Sequence, residues 1–362
     1  MDLPPSLWPA LHRIATGRPW PPRTASDANA FVVEAKLQFL LPLLCETRGL
    51  PSLVTETLDS YRAIERLTEA RASILENDLQ RVLAVLAGED VVLLKGSDYG
   101  HRVYDRPALR PMADTDLLVP SSRIEDVSAR LEAAGFHRSF HGSPAWRLKS
   151  AHEYVFTTEQ TMIEVHQSFI QRARATIDYE ALWKRRVPMA GFPANVFRLH
   201  DVDAVAYHAL SMGIDEFQER LIRDVDLWLL LRRLPVPLQA VADRVSEWSC
   251  RHALFGALTI AATLFPDLHS DEYDRVRASL IPARRQRFLE NRILPDVFRR
   301  RYDSPPGRIR QLWRKFWLMD SMRLRTAFAF HHAYASAAGQ LLPMARRTER
   351  NISNAPSSTG QP

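Results

Sequence analysis

The stretch LKGSDYGHRVYDRPALRPMADTDLLV, residues 94–119, holds the pattern from which the rest of the chain is read. It closes on an apolar run that carries two aspartates, Asp114 and Asp116, at positions i and i+2. Residues two apart on an extended strand point to the same face. Both carboxylates therefore project side by side, about 5–7 Å apart, next to Leu117, Leu118 and Val119, which read as buried. Paired anions repel each other, and burying even one is costly without a partner. A divalent cation answers that demand. Oxygen-only donors suit Mg²⁺, with Mn²⁺ as a substitute. The plainer alternative, aspartates capping a turn or facing water, fits less well with the apolar residues that follow Asp116.

Upstream, Lys95-Gly96-Ser97 follows the apolar run 91–94, a pattern that predicts a buried strand and then a turn. A glycine after a strand lets backbone N–H groups approach a phosphate, and a following helix N-terminus adds partial positive charge. Ser97 can add a hydroxyl donor and Lys95 a point charge. Only five of the 48 basic residues are lysines, so Lys95 stands out from an arginine background. Gly-Ser alone is an ordinary strand-to-helix turn. The aspartate strand that follows gives it weight.

Between the turn and the aspartates lie Arg102, Arg106 and Arg110. Arg110, beside Pro111, is best placed to clamp a triphosphate bidentately. Asp98 adds negative charge near such a site and is expected to face away along its helix. A third carboxylate comes from Glu164 in Met162-Ile163-Glu164-Val165-His166, an acid alternating with apolar residues. On a neighbouring strand it can ligate a metal or take a proton from a nucleophile. His166 lies on the same face as Glu164, either as a strand-end histidine or as a substrate contact, and Glu153 is a weaker substitute for Glu164. Farther on, Arg220 and Arg223 flank Asp224 and Asp226 on an apolar helix, where ion pairs at neighbouring turns are expected.

The chain has 362 residues, enough for two domains, with 46% hydrophobic and 25% charged residues, as in an ordinary globular protein. Thirteen glycines against 24 prolines favour helices over loop-rich β architecture. A net charge of +6 is compatible with nucleotides, nucleic acid or acidic membrane surfaces. Much of the excess lies late, around 284–285, 299–301 and 346–350, and reads as solvated helix faces and a tail. Cys45 and Cys250 read as buried thiols in a reducing compartment. No signal-peptide pattern opens the chain, and the longest apolar run, 253–265, is too short to span a bilayer. A cytoplasmic protein with no membrane span is expected.

Periodicity predicts helices over 25–46, divided by Pro42, and over 53–87, stopped by Gly88. A short helix over 97–104, a proline loop over 105–112 and a strand over 114–120 follow. Ser121 or Ser122 is expected to cap a helix through Ala134 that Gly135 ends. Segments 151–158 and 161–168 read as a strand pair around Glu159-Gln160. From 200 onward the pattern is helical. The expected fold is α+β: a small mixed sheet with N-terminal helices and a largely helical C-terminal region. The expected division is 1–87, an α/β core over 88–190, a helical domain over 191–345 and a disordered tail over 346–362.

Several of these motifs resemble those of a known group. Leu93-Leu94-Lys95-Gly96, Tyr104, Arg110-Pro111-Met112 and the run from Asp114 to Val119 are similar to the uncharacterised bacterial nucleotidyltransferase family of the DNA polymerase β-like superfamily. Ile163-Glu164-Val165-His166 resembles that family's later acid–His strand, and 204–233 with Asp224 its helical part. The likeness spans roughly 65–235. It implies a mixed sheet flanked by helices and metal-dependent transfer of a nucleoside monophosphate from an NTP, ATP included. It assigns Gly96 and Ser97 to the phosphate turn, Asp114 and Asp116 to the metal pair, and Glu164 to the third carboxylate. Two departures are visible: the interval from Ser97 to Asp114 is longer than usual, and Thr115 replaces an apolar residue. The expected enzyme binds NTP at Lys95, Gly96, Ser97 and Arg110, holds Mg²⁺ on Asp114, Asp116 and Glu164, and releases pyrophosphate. Its acceptor is a peptide, small molecule, protein or RNA. The alternatives are a non-catalytic nucleotide- or RNA-binding module and a toxin–antitoxin component acting through protein association.

Overall fold

Val91–Leu93 (β1) is apolar at every position, and such a strand is stable only when covered on both faces. It lies inside a seven-stranded mixed sheet, the sheet found among the described residues. The other strands are Thr115–Leu118 (β2), His137–Ser139 (β3), Glu153–Thr157 (β4), Met162–His166 (β5), Val187–Pro188 (β6) and Val196–Arg198 (β7). Their order is β3-β4-β5-β2-β1-β7-β6. β1 runs antiparallel to β2 and parallel to β7, while β2 runs parallel to β5. The expected strand pair forms as the antiparallel β4–β5 hairpin. This computed structural model describes residues 33, 35, 39–46, 58–139, 152–170, 174–218, 220–297 and 308–330. Most of the helix expected over 25–46, the side chain of Cys45 and the tail 346–362 lie outside them. Cys250 is a buried free thiol.

Strand alternation sorts the side chains onto two faces. Val91 and Leu93, Leu117 and Val119, and Ile163 and Val165 turn to one side. There they meet Leu79, Val82 and Leu83 of the helix Leu58–Val85 and Val127 and Leu131 of the helix Ile124–Ala133. Val92, Leu94 and Leu118 turn to the opposite side, toward the helix Lys95–Arg102 and the C-terminal helices. Asp116, Glu164 and His166 alternate with the first set, so the polar residues share the second face. Nearly all of the helix Asp201–Ile214 is buried, packed on Leu238–Glu247 and Arg251–Leu264. The fold is mixed α/β and mostly helical.

Two local details differ from the reading of the sequence. Ser121 lies in a 3₁₀ turn, Ser121–Arg123, and the helix that starts at Ile124 has Arg123 at its N-cap with no side-chain cap hydrogen bond. Its other end is as expected: Gly135 takes φ +85°, the left-handed stop that glycine adopts without strain. No helix of the described residues is long and apolar enough to cross a membrane.

Candidate active site

The register of β2 against β5 places Asp116 directly beside Glu164, and Leu118 beside His166. Neighbouring parallel strands lie about 4.8 Å apart, so carboxylates from two remote segments share one spot. Asp114 stands just before the β2 ladder and lines the same pocket as Asp116. The Lys95 ammonium donates to Asp116 Oδ1 at 2.7 Å, and His166 Nε2 lies 2.9 Å from that oxygen and 3.5 Å from Glu164 Oε2. Asp116, Glu164 and His166 each offer a ligand atom within 4.8 Å of the others.

The electrostatics follow from that crowding. Burial raises the Asp116 carboxyl, but Lys95 and His166 outweigh it and hold the group far below the usual carboxylate range. Burial disfavours a charged His166, yet its bonds to Asp116 and Glu164 lift it to about 9. Burial likewise opposes the Lys95 charge, and Asp116 keeps it well above an ordinary lysine. Asp114 fares differently. Burial, then the charges of Asp116 and Glu164, push it up to about 6. Lys95 and Arg110 offset only part of the burial and repulsion at Asp114, which bears most of the cost of the crowding. Carboxylate oxygens crowded in this way fit a divalent cation.

The glycine turn is tightly built. Leu94 is extended, Lys95 takes φ +45°, and Ser97 donates its N–H to the Leu94 carbonyl at 3.1 Å. A left-handed non-glycine residue is held there only by its surroundings. A Cβ on Gly96 would lie 2.5 Å from Arg110 Nη1 and 2.7 Å from Met112 Cγ, with Met112 Sδ closer still. Arg110 cannot swing away, because Asp226 pins it. Gly96→Ala is therefore expected to destabilise the protein by about 1–3 kcal/mol, the usual range for overpacking, read as a lower urea midpoint. A midpoint equal to wild type would show that Met112 and Arg110 yield freely.

The other residues expected at the site are distributed unevenly. Ser97 Oγ is buried, has no hydrogen-bond partner among the described residues, and is not part of the pocket lining. Arg110 does reach the pocket, but its fork is engaged: Nη2 donates to Asp226 Oδ2 at 2.8 Å and Nε to Oδ1 at 3.3 Å. Tyr104 donates to the same Asp226 Oδ1 at 2.8 Å. Arg102 pairs with buried Asp98 and with Asp201, and Arg106 with Glu69, so neither lines the pocket. Asp98 thus faces Arg102, as expected. Glu153 stands opposite His166 in the β4–β5 register, on that ring's far side from Asp116.

The pairing expected within 220–226 is corrected for Asp226. Its helix, Ile222–Arg233, is buried at each of its first nine residues. Asp226 must therefore find its cation on a facing element, and it does so 116 residues away at Arg110. Sequence reasoning also missed the pocket's basic wall. A pocket of about 280 Å³ is lined by Lys95, Gly96, Arg110, Asp114 and Asp116 together with Phe39, Arg220, Ile222 and Arg223. The Arg220 guanidinium lies 3.8 Å over the Phe39 ring, and Arg223 Nη2 donates to Ser211 Oγ at 2.6 Å. His208 Nε2 sits 2.8 Å from the Arg223 carbonyl, holding that turn in place.

A pocket lined by both acids and arginines suits a metal-bound polyphosphate. Comparison with known proteins agrees with that chemistry. A family model described as an uncharacterised nucleotidyltransferase matches residues 24–266, a span that includes Phe39, the acid strands and the arginines. Among curated proteins, none matches the chain. The chain belongs to the uncharacterised nucleotidyltransferase family, and its activity is that of a nucleotidyltransferase.

Proposed function

We propose that the protein transfers a nucleoside monophosphate from an NTP to an acceptor hydroxyl, with a divalent cation, Mg²⁺ or Mn²⁺, on Asp114, Asp116 and Glu164. The observation that carries this reading is the Asp116–Glu164 register beside a pocket walled by Arg220 and Arg223. A bound cation there supplies neutralising charge to the triphosphate and to the developing transition state. Arg220, Arg223 and Lys95 hold the phosphates, and Arg110, fixed by Asp226, keeps Gly96 in position. Lys95 changes partner from Asp116 to phosphate as substrate enters. Glu164, partly exposed, accepts the acceptor's proton as its oxygen bonds to the α-phosphorus. The bond to the β-phosphate breaks and pyrophosphate leaves. A peptide, small molecule, protein or RNA can supply the hydroxyl. Such a reaction belongs in the cytoplasm, where NTPs are made.

The test uses NTP labelled at either the α- or the γ-phosphorus, offered with pools of peptides, metabolites and RNA. Label from the α position should reach an acceptor while γ-label appears in pyrophosphate, and Asp116→Asn should stop both. Transfer of γ-label to the acceptor, or transfer by Asp116→Asn at the wild-type rate, would refute the reading. Arg220→Ala is expected to weaken NTP binding about tenfold, as loss of one charge-assisted hydrogen bond does. Arg220 is exposed, so the melting temperature should stay the same. Calorimetric titration with a non-hydrolysable NTP decides this, and unchanged affinity would remove Arg220 from the phosphate wall.

A further inference from the structure

Behind the acid cluster lies a second set of donors of a different kind. Glu153 faces His166 across the β4–β5 ladder, and His152 immediately precedes Glu153. The His152 carbonyl accepts N–H bonds from Gln167 at 2.9 Å and Ser168 at 3.3 Å, which fixes its backbone beside the end of β5. Glu153 Oε2 lies 3.1 Å from His152 Nε2 and 3.4 Å from His166 Nδ1. The three residues each offer a ligand atom within 4.8 Å of the others. His166 is only 2% exposed, and its Nδ1 makes no hydrogen bond among the described residues. A buried ring nitrogen without a bond is costly, and this one is aimed at Glu153.

We propose that His152, Glu153 and His166 form a second cation site, selective for a borderline transition metal such as Zn²⁺. The spacing suits it. Bonds of 2.0–2.1 Å in a tetrahedral shell put neighbouring ligand atoms about 3.3–3.4 Å apart, close to the 3.1 and 3.4 Å separations from Glu153 Oε2. Two imidazoles with one carboxylate select Zn²⁺ over Mg²⁺, which takes oxygen donors. His152 and Glu153 are partly exposed, so a bound ion keeps its fourth position open to solvent. His166 links the two sites. Binding the ion displaces the Nδ1 proton of His166 to solvent, and with Nδ1 on the ion its Nε2–H points at Asp116 Oδ1, 2.9 Å away, as ligating histidines commonly donate their second nitrogen to a carboxylate. Zn²⁺ binding here is tested without reference to the nucleotidyl-transfer reading.

The test uses metal-free full-length protein and Zn²⁺ titrated against a chromophoric chelator, with Co²⁺ absorption as a second readout. One Zn²⁺ per chain should bind with micromolar or tighter affinity, and Co²⁺ should give the strong visible bands of four-coordinate cobalt. His152→Ala and Glu153→Gln should each weaken Zn²⁺ by at least the roughly 10- to 100-fold that loss of an outer-shell partner costs. Glu180→Gln, an exposed acid outside both donor sets, should bind like wild type. Circular dichroism checks folding, and the near-isosteric Glu153→Gln keeps the test decisive if His152→Ala unfolds. Absence of stoichiometric Zn²⁺ binding would overturn the site. So would binding that survives both variants and disappears in Glu164→Gln, which would place the ion on the acid cluster.

Discussion

Asp114→Asn is expected to lower nucleotidyl transfer at least about 10³-fold, the scale of losing several kcal/mol of metal-based charge stabilisation, and yet to stabilise the metal-free protein. The two effects share one cause. Burial and the charges of Asp116 and Glu164 hold the Asp114 carboxyl at about 6, against an ordinary value of 3.8. A carboxyl raised in the folded state binds its proton more tightly there than in the unfolded chain. Stability is therefore undiminished below about pH 4 and falls as pH rises through 6, with the full penalty present above. A shift from 3.8 to about 6 corresponds to on the order of 1–3 kcal/mol. Asparagine removes that penalty, so in EDTA the variant should melt above wild type at pH 8 and level with it at pH 4. Mg²⁺ should raise the melting point of wild type more than that of the variant. A variant that melts lower at pH 8, with transfer intact, would show that Asp114 is an ordinary surface carboxylate.

Asp226→Asn should be the most damaging single change away from the acids. Asp226 is fully buried, receives two bonds from Arg110 and one from Tyr104, and has its carboxyl held below the usual range by Arg110 in spite of burial. A depressed carboxyl adds stability above the unfolded value, near 3.9, and that stability is lost as pH falls toward the folded value. Asparagine leaves the Arg110 guanidinium buried without its counter-charge, a loss of about 3–5 kcal/mol for such pairs. The denaturant midpoint measures it. The double change Arg110→Met with Asp226→Leu should recover most of that stability, because an apolar pair needs no desolvated charge. It should still bind NTP poorly, since Arg110 and Gly96 are neighbours in the pocket wall. A loss below about 1 kcal/mol for Asp226→Asn, the range of an exposed ion pair, would mean that the pair does not organise the pocket.

The acid strands were legible because alternation is a local property. Asp114, Asp116 and Glu164 each sit among apolar neighbours whose period fixes their face. The Asp116–Glu164 register was not legible, because it depends on which strands pair and in what offset. His166 illustrates the boundary: its face could be read, whereas its bonds to Asp116 and its open Nδ1 come from tertiary packing. Arg220 and Arg223 stayed hidden among 48 basic residues because arginine content carries no positional signal. Their position beside Asp114 arises because the fold brings the start of the helix Ile222–Arg233, itself packed on the helices Asp201–Ile214 and Arg251–Leu264, to the pocket. Phe39, from the far N-terminal side, reaches the pocket only through the fold. Arg110 shows a further limit. Its placement between turn and acids suggested a phosphate clamp, but a buried acid on a remote helix takes its fork.

The most direct test of the acid cluster as a nucleotide–metal site requires no acceptor. Mn²⁺ titrated into the nucleotide-free protein can be followed by its free-ion paramagnetic resonance signal, in the near-isosteric Glu153→Gln background so that only the acid cluster reports. Stoichiometric loss of the free signal is expected, with recovery of that signal when Asp116→Asn and Glu164→Gln are added. Equal Mn²⁺ uptake with and without the two carboxylates would contradict it.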